Sequence, residues 1–471
     1  MKDLMSFGDL SSALGAAFLT GEGRGKADLS AGGFSSVSID SRTLSPGALF
    51  FALKGEMNDG HRFVDSAFKA GASGAVVTSS ALDDSSLGLL NLAQSFNRVL
   101  IAVEDTLKAL QEAARVYLKQ FSNLIKIGIT GSSGKTTTKE IAAAIIGQEK
   151  SIVMNKGNLN SETGLPLSVF EVRPHHEVGI FEAGMNRPGE IAELAAVLDP
   201  GIALITNIGS AHIGILGSRE AIAEEKKKIF SKFTVGNTAL IPANGEYCDF
   251  LAKDLPGKVV FYGPDSLPAF GSAKDLGLEG TEIVWDGRPV RFSLPGKFNL
   301  SNAIAAAALA LELPVKNESV RRGLESVKPF FGRGEIFYGR TTVIRDCYNA
   351  NPESVMEALD FCDSLEWAGR RVYVIGSMLE LGDSSAAAHA ALGNRLASSA
   401  AAMIFLFGEE IKIAADLLEG AKKVFYTCDK KALSQALDGF IKSSDLVLLK
   451  GSRGNELETL SEMLLGGPHV S

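Results

Sequence analysis

A glycine- and threonine-rich stretch at positions 128–140, GITGSSGKTTTKE, contains the residue types that bind phosphate. Its glycines allow backbone conformations that turn N–H groups toward an anion, and the helix that follows directs its positive end to the same place. Lys135 can reach the terminal phosphates of a nucleotide, and Thr136 can offer its hydroxyl to Mg²⁺. We therefore predict a nucleotide-binding loop that comprises Gly131, Ser132, Ser133, Gly134, Lys135, Thr136 and Thr137.

Polar side chains also follow two apolar stretches that are typical of strands. Glu182 ends the stretch EVGIFE, while Asn207 and His212 come after GIALIT. Ligands of open α/β sheets bind at the carboxyl ends of the strands, so these side chains should lie near the loop. Oxygen ligands suit Mg²⁺, and a single imidazole nitrogen beside them is tolerated. The sequence thus predicts a phosphate and metal site at one edge of a sheet.

The elements that must position this site alternate between strand and helix. The stretches LIKIGIT, EVGIFEA and GIALITNIG alternate with TTTKEIAAAIIG and GEIAELAAVL, which is typical of βαβ units on a mostly parallel sheet. A break at VKPFFGRGEIF, near position 330, precedes a second, smaller alternation of the doubly wound, Rossmann-like kind. We predict an α/β protein of three domains, at residues 1–110, 111–328 and 329–471.

Bulk composition limits the class of protein. The chain has 471 residues with 45% hydrophobic and 22% charged residues, as expected of a globular protein, and its net charge of -8 argues against nucleic acid as the partner. Its four cysteines form no C-x-x-C pair, the start lacks a signal-peptide pattern, and no apolar stretch approaches about 20 residues. We expect a cytoplasmic, monomeric protein without membrane insertion.

The loop and the strand-end residues together resemble the Mur ligase family. The common phosphate-loop pattern requires glycine where this chain has Ile129, whereas that family has the shorter form T-G-x-x-G-K-T-[TS], which TGSSGKTT matches. The family also has a strand-end glutamate, a histidine in TNIGSAH, and a lysine in K-x-x-[IL]-[FY]. In KKKIF this lysine matches Lys226, beside Lys227 and Lys228. The resemblance implies that Lys226 is carbamylated.

Other stretches resemble the branch of the family that adds a dipeptide. YNANP is its most discriminating element, and SIDSRTLSPGALFFALKGEMNDGHRF is similar to a uridine-nucleotide domain. NKGNLNSETGLPL is similar to the family pattern NxNNxxGxPL, with Ser161 in place of an asparagine. GKFNLSNA has Phe298 where relatives often have histidine, which affects how adenine would pack.

The resemblance implies an ATP-dependent joining of D-Ala-D-Ala to the carboxylate of UDP-MurNAc-tripeptide through an acyl phosphate. Transfer of a phosphoryl group depends mainly on positioning and on neutralising charge. The implied catalytic residues are Lys135, Glu182, His212 and Lys226. Two Mg²⁺ ions are implied, one on Thr136 and Glu182 and a second near His212 and modified Lys226. The third residue of the stem peptide stays open.

The resemblance also implies contacts with each substrate. For ATP it implies Asn302 at adenine, Asp346 at the ribose and Arg333 at the phosphates. For the muramyl substrate the candidates are Ser41, Arg42, Lys54 and His61, with Asn160 and Thr163 facing its peptide. For the dipeptide they are Tyr348, Asn349 and Asn351. Local turn chemistry is the alternative for DSR and for NANP.

Three alternative interpretations of the protein's function are left to weigh against this one. A Mur ligase that adds the third residue would carry D-N-P-R, which is absent here, and a folylpolyglutamate synthetase would begin close to its phosphate loop rather than about 110 residues before it. A P-loop switch protein would carry N-K-x-D, and the stretch MNKGNL has no aspartate at that place. A ligase should release phosphate only with both peptide substrates, whereas a switch needs neither.

Overall fold

The computed structural model describes residues 3–15, 17–19, 32–55 and 58–466. The first domain places a small mixed sheet between helices. Its strand order is β2-β7-β6-β5-β4, and all neighbours are parallel except β2 and β7. The elements are β1 (Met5–Ser6), α1 (Phe7–Leu14), β2 (Ala17–Leu19), β3 (Gly33–Phe34), β4 (Ser36–Ser38), β5 (Ala48–Phe51), α2 (Val64–Lys69), β6 (Gly74–Thr78), α3 (Ser79–Leu82), α4 (Leu89–Phe96), β7 (Val99–Val103) and α5 (Thr106–Lys119).

The central domain contains a parallel sheet of six strands in the order β13-β12-β11-β8-β10-β9, followed by the antiparallel sheet β14-β15-β16. Its elements are β8 (Ile125–Thr130), α6 (Lys135–Ile146), β9 (Ile152–Met154), α7 (Gly164–Val169), β10 (Val178–Glu182), α8 (Glu190–Leu198), β11 (Ile202–Ile205), α9 (Ile213–Leu216), α10 (Arg219–Lys227), β12 (Thr238–Pro242), α11 (Cys248–Ala252), β13 (Lys258–Tyr262), β14 (Phe270–Asp275), β15 (Thr281–Trp285), β16 (Arg288–Phe292), α12 (Lys297–Glu312) and α13 (Asn317–Ser326). The chain order reverses at β8, which is where such sheets bind ligands.

The C-terminal domain carries a second six-stranded sheet, in the order β17-β18-β22-β19-β20-β21. Only the edge strand β17 is antiparallel to its neighbour. Its elements are β17 (Glu335–Tyr338), β18 (Thr342–Asp346), α14 (Pro352–Ser364), β19 (Arg371–Gly376), α15 (Ser385–Ala397), β20 (Met403–Phe407), α16 (Lys412–Leu418), β21 (Val424–Thr427), α17 (Lys430–Phe440), β22 (Leu446–Lys450) and α18 (Ser461–Leu465). The predicted α/β fold with mostly parallel sheets is confirmed.

Helix α5 joins the cores of the first two domains. One face packs against α1 and the first sheet, and another packs against α7 and α8 of the central domain. Tyr117 on this helix donates a hydrogen bond of 2.7 Å to the carbonyl of Val172, and its ring lies 5.3 Å from that of Phe170. The predicted boundary at residue 110 lies inside α5, a helix that belongs to both cores. The boundary itself stays a prediction.

The three large sheets have apolar side chains on both faces, as parallel sheets covered by helices require. Separate clusters fill the far face of the first sheet, the face of the central sheet under α6 and α12, and the two faces of the C-terminal sheet. Within the described ranges, none of the helices has the length and apolar character needed to cross a membrane.

Candidate active site

The phosphate loop runs from the end of β8 to the start of α6. Gly131 has φ 152° and Gly134 has φ 77°, values that favour glycine because a side chain would be strained there. A Cβ at either glycine would also overlap a neighbouring side chain, Thr206 and Asn302 respectively. The local sequence therefore folds as predicted, with a strand, a turn that only glycine fits, and a helix that begins at Lys135.

Lys135 folds back over the loop that precedes it. Its Nζ donates hydrogen bonds of 2.8 Å to the carbonyl of Gly131 and 3.3 Å to that of Ser132. Burial lowers the pKa of Lys135, the nearby carboxylate of Glu182 opposes this, and the guanidinium of Arg333 adds to it. Among the described residues, the hydrogen-bond acceptors of this ammonium are these two carbonyls, which phosphate oxygens can replace.

Four residues at the end of β11, 206–209, hold the loop from one side; we call them the loop clasp. The side chain of Asn207 accepts a hydrogen bond of 3.0 Å from the backbone N–H of Ser133 and donates one of 3.2 Å to its carbonyl. Thr206 Oγ1 donates to that same carbonyl at 2.6 Å, and the N–H of Gly209 donates to Ser132 Oγ at 2.8 Å. The conformation of the loop therefore depends on the strand beside it.

Glu182 presents a buried carboxylate to the first helical turn of α6. It is 1% exposed and accepts hydrogen bonds of 2.6 Å from Thr136 Oγ1 and 2.6 Å from Asn160 Nδ2. Asn155 fixes its backbone, since Glu182 N donates to Asn155 Oδ1 at 2.9 Å and Asn155 Nδ2 donates to the Glu182 carbonyl at 3.0 Å. A hydroxyl and a carboxylate in contact beside a phosphate loop are suitable oxygen donors for Mg²⁺. Asn160 is directed at this carboxylate.

Lys226 lies inside the protein, and within the part of the chain that the structure describes no carboxylate accepts a hydrogen bond from it. It is 1% exposed, and the contact found for its Nζ is Met185 Sδ at 4.0 Å. Burial lowers the pKa of Lys226 far below its ordinary value, and the charge of Lys135 lowers it further, against the opposing Glu225. A buried, neutral amine is the form of lysine that reacts with CO₂, so the surroundings of Lys226 fit the modification that the family resemblance implies.

His212 marks the border between the central and C-terminal domains. Its backbone adopts the left-handed φ of 65°, and its Nδ1 lies 3.2 Å from Glu380 Oε2, at ion-pair distance but outside hydrogen-bond geometry. This contact lowers the pKa of Glu380. Among the residues that the structure describes, no group of three or more His, Cys, Asp and Glu side chains is gathered to hold a metal. Mg²⁺ bound here would complete its coordination with water or phosphate oxygens, which is usual for that ion.

The C-terminal domain reaches the phosphate loop through Arg333. The guanidinium donates a hydrogen bond of 2.9 Å to Thr136 Oγ1 and lies 4.1 Å from the centre of the Tyr348 ring. Asp346, at the end of β18, pairs with buried Lys450 at 3.0 Å, and Lys450 donates to the carbonyl of Asn349 at 2.8 Å. Residues of both domains therefore form one continuous wall.

Two predicted contacts also have structural partners. Asn351 is the N-cap of α14, where its Oδ1 accepts from Ser354 N at 2.9 Å, so helix capping accounts for its side chain. Asn302 is 8% exposed, accepts from Thr138 Oγ1 at 3.3 Å and packs against the second loop glycine. Their roles toward dipeptide and adenine stay predictions.

These elements enclose a cavity of about 840 Å³ between the central and C-terminal domains. The predicted site residues that line it are Ser132, Ser133, Gly134, Lys135, Thr136, Thr137, Asn160, Glu182, His212, Asn302, Arg333, Asp346, Tyr348, Asn349 and Asn351. The predicted residues outside its lining are Gly131, Lys226, Thr163, Ser41, Arg42, Lys54 and His61. Gly131 and Lys226 are both buried. Thr163 is the N-cap residue of α7, and its Oγ1 lies 3.3 Å from Ser161 Oγ.

The first-domain candidates lie in two local structures. Arg42 is 85% exposed in its side chain and pairs with Asp40, whose pKa its hydrogen bonds lower to about 2; Ser41 lies between them. Lys54 is exposed. His61 is 3% exposed, with Nδ1 2.6 Å from Asp59 Oδ1 and Nε2 accepting from Thr78 N at 2.9 Å. Both ring nitrogens of His61 are thus engaged inside the domain, which is the geometry of a structural histidine.

Some residues of the site were not predicted from the sequence. Glu380 and Lys450 line the cavity, Asn155 holds the backbone of Glu182, and Glu353 bonds Ser210. The sequence pattern indicates Asn207 only as a strand-end residue. Asn155 is the first residue of NKGNLNSETGLPL, three positions before the part that matches the family pattern NxNNxxGxPL, so this stretch is the sequence signal that could have indicated Asn155. Glu353 and Glu380 contact the central domain, which no local pattern can reveal.

The chain belongs to the Mur ligase family. Three family models match it: "Mur ligase family, catalytic domain" at residues 34–118, "Mur ligase middle domain" at 129–310 and "Mur ligase, glutamate ligase domain" at 332–453. The resemblance drawn from TGSSGKTT, TNIGSAH and KKKIF is therefore confirmed.

The relatives define the branch of the family to which this chain is similar. It is 42% identical, over 98% of its length and 99% of the relative's, to the UDP-N-acetylmuramoyl-tripeptide–D-alanyl-D-alanine ligase of Treponema pallidum. A crystal structure of MurF from Acinetobacter baumannii matches with TM-score 0.85 and 28% identity over 98% of each chain. The MurF ligase of Thermotoga maritima, solved in complex with ADP, matches with TM-score 0.75 and 27% identity, over 91% of this chain and 96% of that one.

Proposed function

We propose that this chain is an ATP-dependent ligase that joins D-Ala-D-Ala to the C-terminal carboxylate of UDP-MurNAc-tripeptide, giving UDP-MurNAc-pentapeptide, ADP and phosphate in peptidoglycan precursor synthesis. One observation carries the proposal: a phosphate loop and a YNANP segment face each other across one cavity, in a chain 42% identical over nearly its full length to a ligase of that name. Membership in a ligase family also argues against the nucleotide-switch alternative.

The first step activates the carboxylate. A carboxylate oxygen of the tripeptide attacks the γ-phosphorus of ATP, the bond to the β,γ-bridging oxygen breaks, and ADP leaves with that electron pair. The ammonium of Lys135 moves from its loop carbonyls to the phosphates, and Arg333, already at Thr136, supplies a second positive charge. Once ATP is bound, both cations would lie at the phosphates before the reaction begins, so charge that develops in the transition state would meet donors already in position.

The second step forms the amide. The ammonium of D-Ala-D-Ala first loses a proton to solvent, and the neutral amine attacks the acyl carbon. The attacking nitrogen then loses a second proton to solvent, and inorganic phosphate leaves with the electrons of the C–O bond. The acyl phosphate would hydrolyse in water, so the cavity must be closed by the C-terminal domain during this step. The segment at Tyr348–Asn351 lies on the wall that this domain contributes, where we propose that it receives the dipeptide.

Thr136 and Glu182 would hold one Mg²⁺, and His212 with a carbamate on Lys226 would hold a second. Magnesium, when bound, neutralises charge between the carboxylate and the γ-phosphate, two anions that otherwise repel each other. The carbamate forms when the neutral amine of Lys226 attacks CO₂ and a proton is released. Intact-mass spectrometry under CO₂ should detect this carbamate on the wild type and miss it on Lys226→Ala. The cytoplasmic location, the monomeric state and the contacts of Ser41, Arg42 and Lys54 with the uridine nucleotide remain our proposals.

Phosphate release tests the proposal. It is measured with ATP and Mg²⁺ in the presence of UDP-MurNAc-tripeptide, of D-Ala-D-Ala, or of both. We expect one phosphate per amide, and only with both substrates. Release with neither substrate, or with a free amino acid in place of the dipeptide, contradicts the assignment. Parallel assays with tripeptides ending in lysine, diaminopimelate or ornithine would identify the third residue.

A further inference from the structure

Glu353, a residue of the C-terminal domain, accepts hydrogen bonds from Ser210 of the central domain, which directly follows the loop clasp. Glu353 Oε1 accepts a hydrogen bond of 2.9 Å from the backbone N–H of Ser210, and Oε2 accepts one of 2.9 Å from Ser210 Oγ. Both carboxylate oxygens are therefore used on one residue of the other domain. Charge-assisted, two-point contacts of this kind are among the stronger hydrogen bonds and fix orientation as well as distance.

On the central side, this contact continues directly into the phosphate loop. Ser210 follows Gly209, the last residue of the loop clasp. Gly209 N bonds Ser132 Oγ at 2.8 Å, and the carbonyl of Asn207 accepts from Ser132 N at 3.0 Å. A displacement of Ser210 is thus one peptide bond away from the backbone that holds the loop in shape.

On the other side, Glu353 is fixed to the segment that faces the dipeptide. It lies in the first turn of α14, a favourable place for a negative charge at a helix N-terminus. The N-cap of that helix is Asn351, whose capping box with Ser354 makes the turn rigid. The segment Tyr348–Asn351 therefore follows wherever Glu353 is anchored.

We propose that Glu353 is a positioning residue, which docks the C-terminal domain on Ser210 and so sets the distance between the phosphate loop and the dipeptide segment. The proposal rests on the proposed function, because that function assigns the two sides of the cavity to ATP and to dipeptide. Its chemistry is a bidentate carboxylate contact between domains. Glu353 itself does not touch the reacting atoms.

A graded set of variants tests the proposal. Glu353→Ala loses both hydrogen bonds, Ser210→Ala loses one, and Glu353→Gln keeps an acceptor for Ser210 N and a polar group for Ser210 Oγ. Asp360→Asn is the matched control: Asp360 is on the same helix but pairs with Arg395 of its own domain. We expect kcat/KM for the dipeptide to fall about tenfold in Glu353→Ala, less in Ser210→Ala, and to stay within about threefold in Glu353→Gln and Asp360→Asn.

Small-angle X-ray scattering provides a measurement that does not need either peptide. With ADP and Mg²⁺ bound, we expect a larger radius of gyration for Glu353→Ala than for wild type and Asp360→Asn, at an equal thermal unfolding midpoint. A radius equal to that of the control, or a dipeptide kcat/KM equal to that of the control, overturns the positioning role. If the proposed substrates are wrong, wild-type activity is absent while the scattering difference persists, so the two failures are distinguishable.

Discussion

Replacement of Asn207 by alanine tests whether the loop clasp holds the phosphate loop. Its side chain makes four contacts within 3.4 Å, all with Ser133: Oδ1 accepts from N at 3.0 Å and from Oγ at 3.4 Å, while Nδ2 donates to O at 3.2 Å and to Oγ at 3.0 Å. Alanine removes all four and leaves a partly buried N–H without that acceptor. Asn207 itself lines the cavity, but the residues to which we assign contacts with ATP are left unchanged by the substitution.

The size of the effect follows from the number of good contacts. Three of the four are no longer than 3.2 Å, and a net contribution of about 1 kcal/mol each gives a loss of about 2 to 3 kcal/mol. If that energy keeps the loop in its binding conformation, kcat/KM for ATP falls about 30- to 150-fold. Asn207→Asp should not restore activity, because it loses the donor and adds a negative charge beside the phosphates.

The assay is phosphate release at saturating peptide substrates with ATP varied. Asn237→Ala is the matched control, because Asn237 also makes four hydrogen bonds in the same domain but does not line the cavity. A kcat/KM for ATP in Asn207→Ala that stays within about threefold of the Asn237→Ala value refutes the reasoning. The loop would then be ordered by its glycines and helix alone.

Three further predictions follow from the structure. Gly214→Ala should lower the rate of ligation about tenfold with little change in the thermal unfolding midpoint. A Cβ at position 214 would overlap the backbone at Leu381 and prevent the C-terminal domain from docking on the central domain. Phosphate release measures the rate, and the radius of gyration from X-ray scattering measures the docking. Lys226→Met should raise the free energy of unfolding in CO₂-free buffer, and the gain should be larger at pH 7 than near pH 10. Burial depresses the pKa of Lys226 in the folded wild type, so between that pKa and the ordinary pKa of the unfolded lysine only the unfolded chain binds the proton, which destabilises the wild type. An equal gain at both pH values in urea unfolding contradicts this. His61→Ala should lower the free energy of unfolding in urea by about 1–3 kcal/mol, because two buried hydrogen-bond partners are lost, while the KM for the nucleotide-linked substrate stays unchanged. A raised KM would instead identify His61 as a residue that binds this substrate.

The sequence predicted best what is decided locally. A strand, two glycines with positive φ and a helix that begins at a lysine follow from short-range sterics, so the phosphate loop lies where its pattern indicates. Glu182 could be placed because the carboxyl ends of adjacent parallel strands share an edge. The family resemblance added Arg333 and Asp346, which lie more than 100 residues after the phosphate loop and Glu182 in the chain and yet line the same cavity.

What the sequence could not predict depends on packing between distant segments. In the first domain, the sequence pattern did not indicate that Arg42 pairs with Asp40 or that His61 is enclosed by Asp59 and Thr78, and the roles of Arg42 and His61 toward the nucleotide stay predictions. Burial at such positions is set by the whole first domain. Likewise, Glu353 resembles any acidic residue in a first helical turn until the two domains are placed together.

The dual packing of α5 divides the molecule into cooperative units that differ from its domains. The first and central domains share one apolar cluster through this helix, whereas the C-terminal domain surrounds its sheet with clusters made mostly of its own side chains. A calorimetric scan should therefore show the first two domains melting as one transition and the C-terminal domain as another. Destabilising substitutions in the first domain should then lower the melting temperature of the central domain and its phosphate loop, even though they lie outside the cavity.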